Sequence, residues 1–316
     1  MLILIAGVSG LLGKILARTG LEKGHRIRGF GRSPSKIPAE LLDKFESFVE
    51  CEYYEDRLAL DKAVSGVDAV ICSYTAHAEA ILDSQLALLR AVERAGVKVY
   101  HAHSWNPDWS RTSLGDWEHY DAYISFRRHV ELTSTLKPVY TFTGIIGEYA
   151  VSKIVGIAHV EDDADTDTDG NGGRKTVAYY GDGTAKWDFT YLDDAARFSI
   201  DLITTNPSVL AGEGGIFRIH SAAASALDVA RAYEENTGQG VALRSLGTAE
   251  HLLQKYREAR AATRDPRQYF VYGPYYVHAA NIMGLWRLDN PVEVGSVDAV
   301  NRLFDRQIDI AADLLE

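Results

Sequence analysis

The stretch LILIAGVSGLLGK (residues 2–14) decides the fold. Residues 2–6 are an unbroken apolar run, read as a buried strand, and Leu11 to Lys23 reads as a helix. Between them Gly7, Gly10 and Gly13 stand in a GxxGxxG pattern. Gly7 allows a tight turn, Gly10 lets backbone approach a pyrophosphate, and Gly13 lets the helix pack close to the sheet. A phosphate there meets the exposed N–H groups and positive dipole end of the helix. The same glycines could serve an ordinary strand-to-helix turn, so the sequence downstream has to decide. As a phosphate cradle the stretch offers Gly7, Ser9, Gly10, Leu11, Leu12 and Gly13.

Working outward, short apolar runs alternate with helical ones. Strands are expected at 26–30, 48–53, 68–74, 98–103 and 138–144. Helices are expected at 58–66, Ala78 to Ala95 and Trp117 to Leu136. Strict alternation implies parallel strands joined by right-handed crossovers, a doubly wound α/β sheet of Rossmann type. After residue 150 the rhythm breaks. The stretch VEDDADTDTDGNGGRK (160–175) is acidic and glycine-rich and is expected to be a mobile loop. A strand (176–180), a helix (192–204), a strand (216–220), a helix (226–237) and helical C-terminal runs follow. The expected division is a dinucleotide-binding domain over 1–150 and a smaller α+β substrate lobe over 151–316, with 183–205 packing back on the first.

The end of the second strand discriminates between dinucleotides. An NAD site usually carries a carboxylate there to grip the ribose 2′-OH. Here the segment reads RIRGFGRSPSK (26–36), with no carboxylate. Arg32 follows the strand, with Ser33 and Lys36 close behind, and a guanidinium matches the geometry of a 2′-phosphate. NADP(H) is therefore expected over NAD(H), with Ser73 at the end of the fourth strand as a further contact.

The 316 residues are 46% hydrophobic and 24% charged, ordinary globular composition, and the net charge is −11. An acidic chain lacks the electrostatic footprint of a nucleic-acid or anionic-membrane binder. Cys51 and Cys72 both lie beside apolar runs, which fits a reducing compartment better than a disulfide framework. No apolar run reaches membrane-spanning length, and the N-terminus lacks a basic n-region. A cytoplasmic protein, monomer or homodimer, is the expectation.

Five further stretches carry a family resemblance: AVSGVDAVICSY (63–74), LLRAVERAGVKVYHAHS (88–104), RRHVE (127–131), WDFTYLDDAARF (187–198) and GRSPSK (31–36), together with the glycine loop. The chain resembles the atypical short-chain dehydrogenases of the NmrA-like and isoflavone-reductase-like group. That resemblance implies an NADPH-binding Rossmann domain with a C-terminal substrate lobe. Many members reduce aromatic or polyketide-like metabolites, and some bind the dinucleotide as sensors and catalyse nothing. The reductases of the group carry a lysine just upstream of the pair resembling Arg127-Arg128. Here that position falls on Tyr123 or Ser125, and neither is lysine.

Tyr123 and Arg127 stand one helical turn apart. The spacing resembles the Tyr-x-x-x-Lys of ordinary short-chain dehydrogenases, with arginine in place of lysine. A free tyrosine pKa near ~10 is too high for proton traffic at neutral pH, and a fixed cation lowers it. Ser104 at the end of the fifth strand would orient the substrate oxygen. His103 is a further catalytic candidate. The alternative is an aromatic packed at a domain seam beside a solvated basic pair. Trp105, Asp108, Tyr272, Tyr276 and Trp286 are candidates to line a pocket for a planar hydrophobic substrate, or else core. His101 and His103 lack the partners of a zinc site, and DTDTDG (165–170) has Thr176 where a calcium loop needs glutamate, so no metal is expected. The expected activity is NADPH-dependent reduction of a small hydrophobic molecule. Its rivals are a redox-neutral isomerase, cyclase or dehydratase on the same fold, and a non-catalytic NADP sensor.

Overall fold

A computed structural model of the chain describes residues 1–74, 77–78, 80–162, 175–263, 265 and 268–304. In chain order its elements are β1 (Leu2–Ala6), α1 (Leu11–Glu22), β2 (Arg26–Gly31), α2 (Ala39–Leu42), β3 (Ser47–Glu50), α3 (Arg57–Val64), β4 (Ala69–Cys72), α4 (Gln85–Ala95), β5 (Val99–His101), α5 (Glu118–Thr133) and β6 (Val139–Phe142). There follow β7 (Ile145–Ile146), β8 (His159–Asp162), β9 (Lys175–Tyr179), β10 (Trp187–Thr190), α6 (Leu192–Thr205), α7 (Pro207–Leu210) and β11 (Gly215–His220). The last are β12 (Ala222–Ala224), α8 (Ala226–Thr237), β13 (Val241–Ser245), α9 (Ala249–Ala262), α10 (Tyr269–Ile282) and β14 (Val292–Glu293).

The chain forms two compact units. The first holds residues 1–105, 109–142 and 192–217; the second holds 106–108, 143–191 and 218–316. In the first, the strand order is β11-β6-β5-β4-β1-β2-β3. Every neighbouring pair from β6 to β3 is parallel. A parallel sheet covered on both faces needs apolar residues on both sides of each strand. The all-buried runs LILIA of β1 and AVIC of β4 supply them. Ile3, Ile5, Ile27 and Ile71 form one core with Leu16 of α1 and Ile200 and Ile203 of α6. The chain runs from β1 outward to β2 and β3, then crosses to β4 on the other side. The order therefore reverses between β1 and β4, which is where such sheets bind ligands.

In the second unit, β12-β10-β7 and β13-β9-β8 are three-stranded sheets. β14 pairs in parallel with Ile219 and His220 of β11. Asp188 of β10 ties its elements together. Its fully buried carboxylate accepts from His220 Nδ1 at 2.7 Å and from the Leu288 N–H at 2.8 Å, and Arg287 Nε lies 3.4 Å away.

Some boundaries move from the sequence expectation. The third strand ends at Glu50 rather than 53, because its partner β2 ends at Gly31, whose carbonyl takes the Cys51 N–H. The long helix expected from Ala78 is regular only from Gln85. A wider π turn spans Ala80–Ser84, and the Gln85 side chain takes up the Ile81 carbonyl at 2.9 Å. The start of the expected acidic loop is strand. His159–Asp162 pairs antiparallel with β9, and Asp162 stands opposite Lys175. The mobile-loop expectation itself falls on 163–174, outside the described residues.

Candidate functional site

The carboxyl end of β1 is shaped by close contacts. Gly7 has φ +82° and donates its N–H to Phe30 O at 2.9 Å. A Cβ on Gly7 would lie 2.5 Å from the Ser73 carbonyl oxygen, and one on Gly13 would lie 2.4 Å from Gly7 O. Neither position has room for any side chain. The Gly10 N–H closes the turn onto Gly7 O at 3.0 Å. Gly10 caps α1 without a side-chain hydrogen bond, and no acidic residue stands in the first turn. The opening N–H groups at Leu11, Leu12 and Gly13 have no intrahelical acceptor, so this end is an anion cradle formed before any anion arrives. Ser9 is half-buried and Gly10 exposed at its rim. Ser73 braces the wall. Its hydroxyl and its N–H both donate to Ala6 O, at 2.9 and 2.8 Å.

Arg32 is exposed just past β2, with its guanidinium 4.8 Å from the centre of the Tyr54 ring. Ser33 leads into a short turn, Pro34–Lys36, and Lys36 is exposed. The cradle suits a pyrophosphate, and a cationic β2 end without a carboxylate suits a 2′-phosphate. Both cysteines are buried free thiols, pushed up by burial to about 11 at Cys51 and about 12 at Cys72.

The end of β5 is packed differently. Ser104 is fully buried; its hydroxyl donates to Ala102 O at 3.1 Å and accepts the Thr141 N–H at 2.8 Å. Its single proton is thus held by backbone, whereas polarising a substrate oxygen would need that proton. Tyr123 on α5 is 2% exposed. Its ring meets His103 edge-on at 5.7 Å, and Trp109, Tyr120 and His119 lie within 5.8 Å. Burial pushes the His103 imidazole down to about 3, with like charge from His101 and His119 adding to it. Burial also lowers His101 and His119, each to about 4. These rings are therefore neutral at pH 7. Arg127 pairs with Glu131 one turn further on, at 2.9 Å. Its field also opposes the rise that burial imposes on the Tyr140 phenol.

The other candidates separate between the units. Trp105 belongs to the first. It stacks on His101 at 4.4 Å, donates its indole N–H to Ser199 Oγ at 2.9 Å and sits in the hydrophobic core. Asp108 belongs to the second, fully buried against Arg218 at 2.7 Å. Tyr272, Tyr276 and Trp286 also belong to the second. Tyr256 contacts both tyrosines, at 5.9 and 5.2 Å, and Tyr276 lies 5.9 Å from Trp286.

Sequence reasoning missed several residues. Gln85 holds the end of β5 by accepting the His103 N–H at 2.7 Å, and His119 contributes to the ring cluster. Tyr54 lies beside Phe30 and Arg32 at the end of β2, and Tyr74 stacks on Tyr54. A polar Gln opening an apolar helix and the pair YY at 53–54 were the available signals. Among the described residues no group of His, Cys, Asp and Glu is arranged to hold a metal, and no helix is long and apolar enough to cross a membrane.

An open parallel sheet with a glycine cradle at the end of its first strand is the Rossmann-type design. The chain belongs to the NmrA-like family, whose sequence model matches residues 1–263. A bifunctional pinoresinol-lariciresinol reductase of Linum usitatissimum is 27% identical over 212 residues, covering 63% of this chain and 63% of that protein. The chain thus spans under two thirds of that relative's length. A photosystem II assembly factor of Synechocystis sp. is 27% identical over 161 residues, 48% of each chain. The solved complex of leucoanthocyanidin reductase with NADPH from Vitis vinifera has a TM-score of 0.71 at 20% identity, covering 100% of both chains.

Proposed function

We propose that the chain binds NADP(H) and reduces a carbonyl or activated double bond in a small, planar hydrophobic molecule, aromatic or polyketide-like. The observation that carries the cofactor is the pairing of a side-chain-free cradle at Gly7 and Gly13 with Arg32 at a β2 end that has no carboxylate. Membership of the NmrA-like family supports it, and the Linum usitatissimum relative, a pinoresinol-lariciresinol reductase by name, supports the reaction class.

Within this reading a bound dinucleotide would supply the hydride. The N–H groups opening α1 would hold its pyrophosphate, and Arg32 with Ser33 and Lys36 would hold the 2′-phosphate. Tyr123 provides the proton, and neutral His103 packs edge-on against its ring. Arg127 contributes little, because it is turned to Glu131, a carboxylate it shares with Arg128, at the partly exposed surface of α5. Ser104 fixes the end of β5 to the β6 backbone instead of gripping substrate.

The test is incubation with NADPH and a panel of aromatic ketones and conjugated alkenes, read by product mass and NADPH absorbance. The reading requires a product heavier by two hydrogens with matching NADPH loss. A second reading, an NADP(H)-binding chain that turns over nothing, is favoured by the enclosure of Tyr123 at 2% exposure. It requires tight NADPH binding with no consumption on any substrate. A product of unchanged mass would instead point to redox-neutral chemistry.

A further inference from the structure

Three strands of the first unit, β2, β3 and β4, are each followed by one member of a single cluster. Arg32 follows β2, Tyr54 lies four residues past β3, and Tyr74 lies two residues past β4. The Arg32 guanidinium sits 4.8 Å from the Tyr54 ring centre. Tyr54 also stacks on Tyr74, with ring centres 4.2 Å apart and planes inclined by 29°. Phe30, on β2 itself, closes one edge at 6.4 Å. Tyr74 is 2% exposed, and its backbone nitrogen lies 3.0 Å from where a Cβ of Gly7 would stand. The shelf is therefore footed on the same turn that forms the cradle. The Arg32 guanidinium also works against the rise that burial imposes on the Tyr54 phenol.

An exposed arginine samples many rotamers, and a phosphate that has to fix it loses affinity to that ordering. A guanidinium already laid on an aromatic face has lost much of that freedom before the phosphate arrives. We propose that Tyr54 is a positioning residue that sets the preference for NADPH over NADH, by holding the Arg32 guanidinium ready for a 2′-phosphate. This rests on the reading that the chain binds NADP(H).

The experiment is calorimetric titration of the wild type, Tyr54→Phe and Tyr54→Leu with NADPH and, separately, NADH at one salt concentration. A cation–π contact at an exposed site corresponds to a factor of about 2 to 5. Tyr54→Leu is expected to weaken NADPH by about fivefold and NADH by less than about twofold. Tyr54→Phe keeps the ring, loses only the phenol oxygen, and is expected to recover most of the loss. Equal losses for the two dinucleotides would overturn the proposal, since Tyr54 would then act on the part they share. No change in either would overturn it too. A wild type that binds neither dinucleotide would remove the underlying reading, and this proposal with it.

Discussion

At the end of β1 the chain clears side chains away; at the end of β5 it piles them up. The first place consists of backbone N–H groups, two glycines with no space for a Cβ, and an exposed guanidinium. The second consists of Tyr123 among His103, Trp109, His119 and Tyr120, with three neutral imidazoles and a serine proton given to backbone. A phosphate is recognised by charge and by fixed dipoles, which need open backbone. A proton donor is tuned by what surrounds it, which needs packing. The same sheet meets both requirements at different strand ends.

The largest effect that would break this contrast is at the cradle. Gly13→Val places a branched side chain where even a Cβ would be 2.4 Å from Gly7 O. NADPH affinity is expected to fall more than about 100-fold, because the helix end has to move off the loop. Circular dichroism separates that from unfolding, and an affinity within threefold of wild type would refute the cradle.

The next effect belongs to α5. Tyr123→Phe is expected to lower turnover by about 100-fold, the range of a lost general acid, with NADPH affinity within twofold. Arg127→Ala is expected to change turnover less than about threefold, because its charge is already paired with Glu131. If the arginine variant lost more than the tyrosine variant, the cation rather than the phenol would be the working group.

The smallest effect is on stability against pH. His101 and His119 have folded pKa values near 4, below an unfolded value of about 6.5. Each stays neutral in the fold, so its contribution is complete above pH 6.5. It is lost as pH falls through 6.5 towards 4, where the unfolded chain takes up protons first. The melting temperature is expected to drop by about 5 °C between pH 7.5 and pH 5. His101→Gln, which keeps a hydrogen-bonding side chain towards Thr141, is expected to flatten that slope.

The two regions also differ in how legible they were. Gly7, Gly13 and the missing carboxylate after β2 follow from spacing and residue type alone, and so did β1, α1 and the parallel order. The surroundings of Tyr123 did not, because the rings that enclose it come from 103, 109, 119 and 120, and ring contacts leave no periodic trace. The spacing of Tyr123 and Arg127 suggested a pair, but Glu131, a further turn along, competes for the guanidinium. Trp105 reads as a pocket residue by type, yet Ser199, 94 positions away, takes its N–H. β8 was hidden because HVED is polar and is held by its partner β9 rather than by its own pattern.

The most direct test of the central claim is calorimetric titration of the wild type and Arg32→Ala with NADPH and NADH. The account predicts tight NADPH binding and weak NADH binding by the wild type, and a loss of about tenfold or more for NADPH alone in the variant, as expected for a charge-assisted phosphate contact. Equal losses for both dinucleotides, or no binding of either by the wild type, would contradict it.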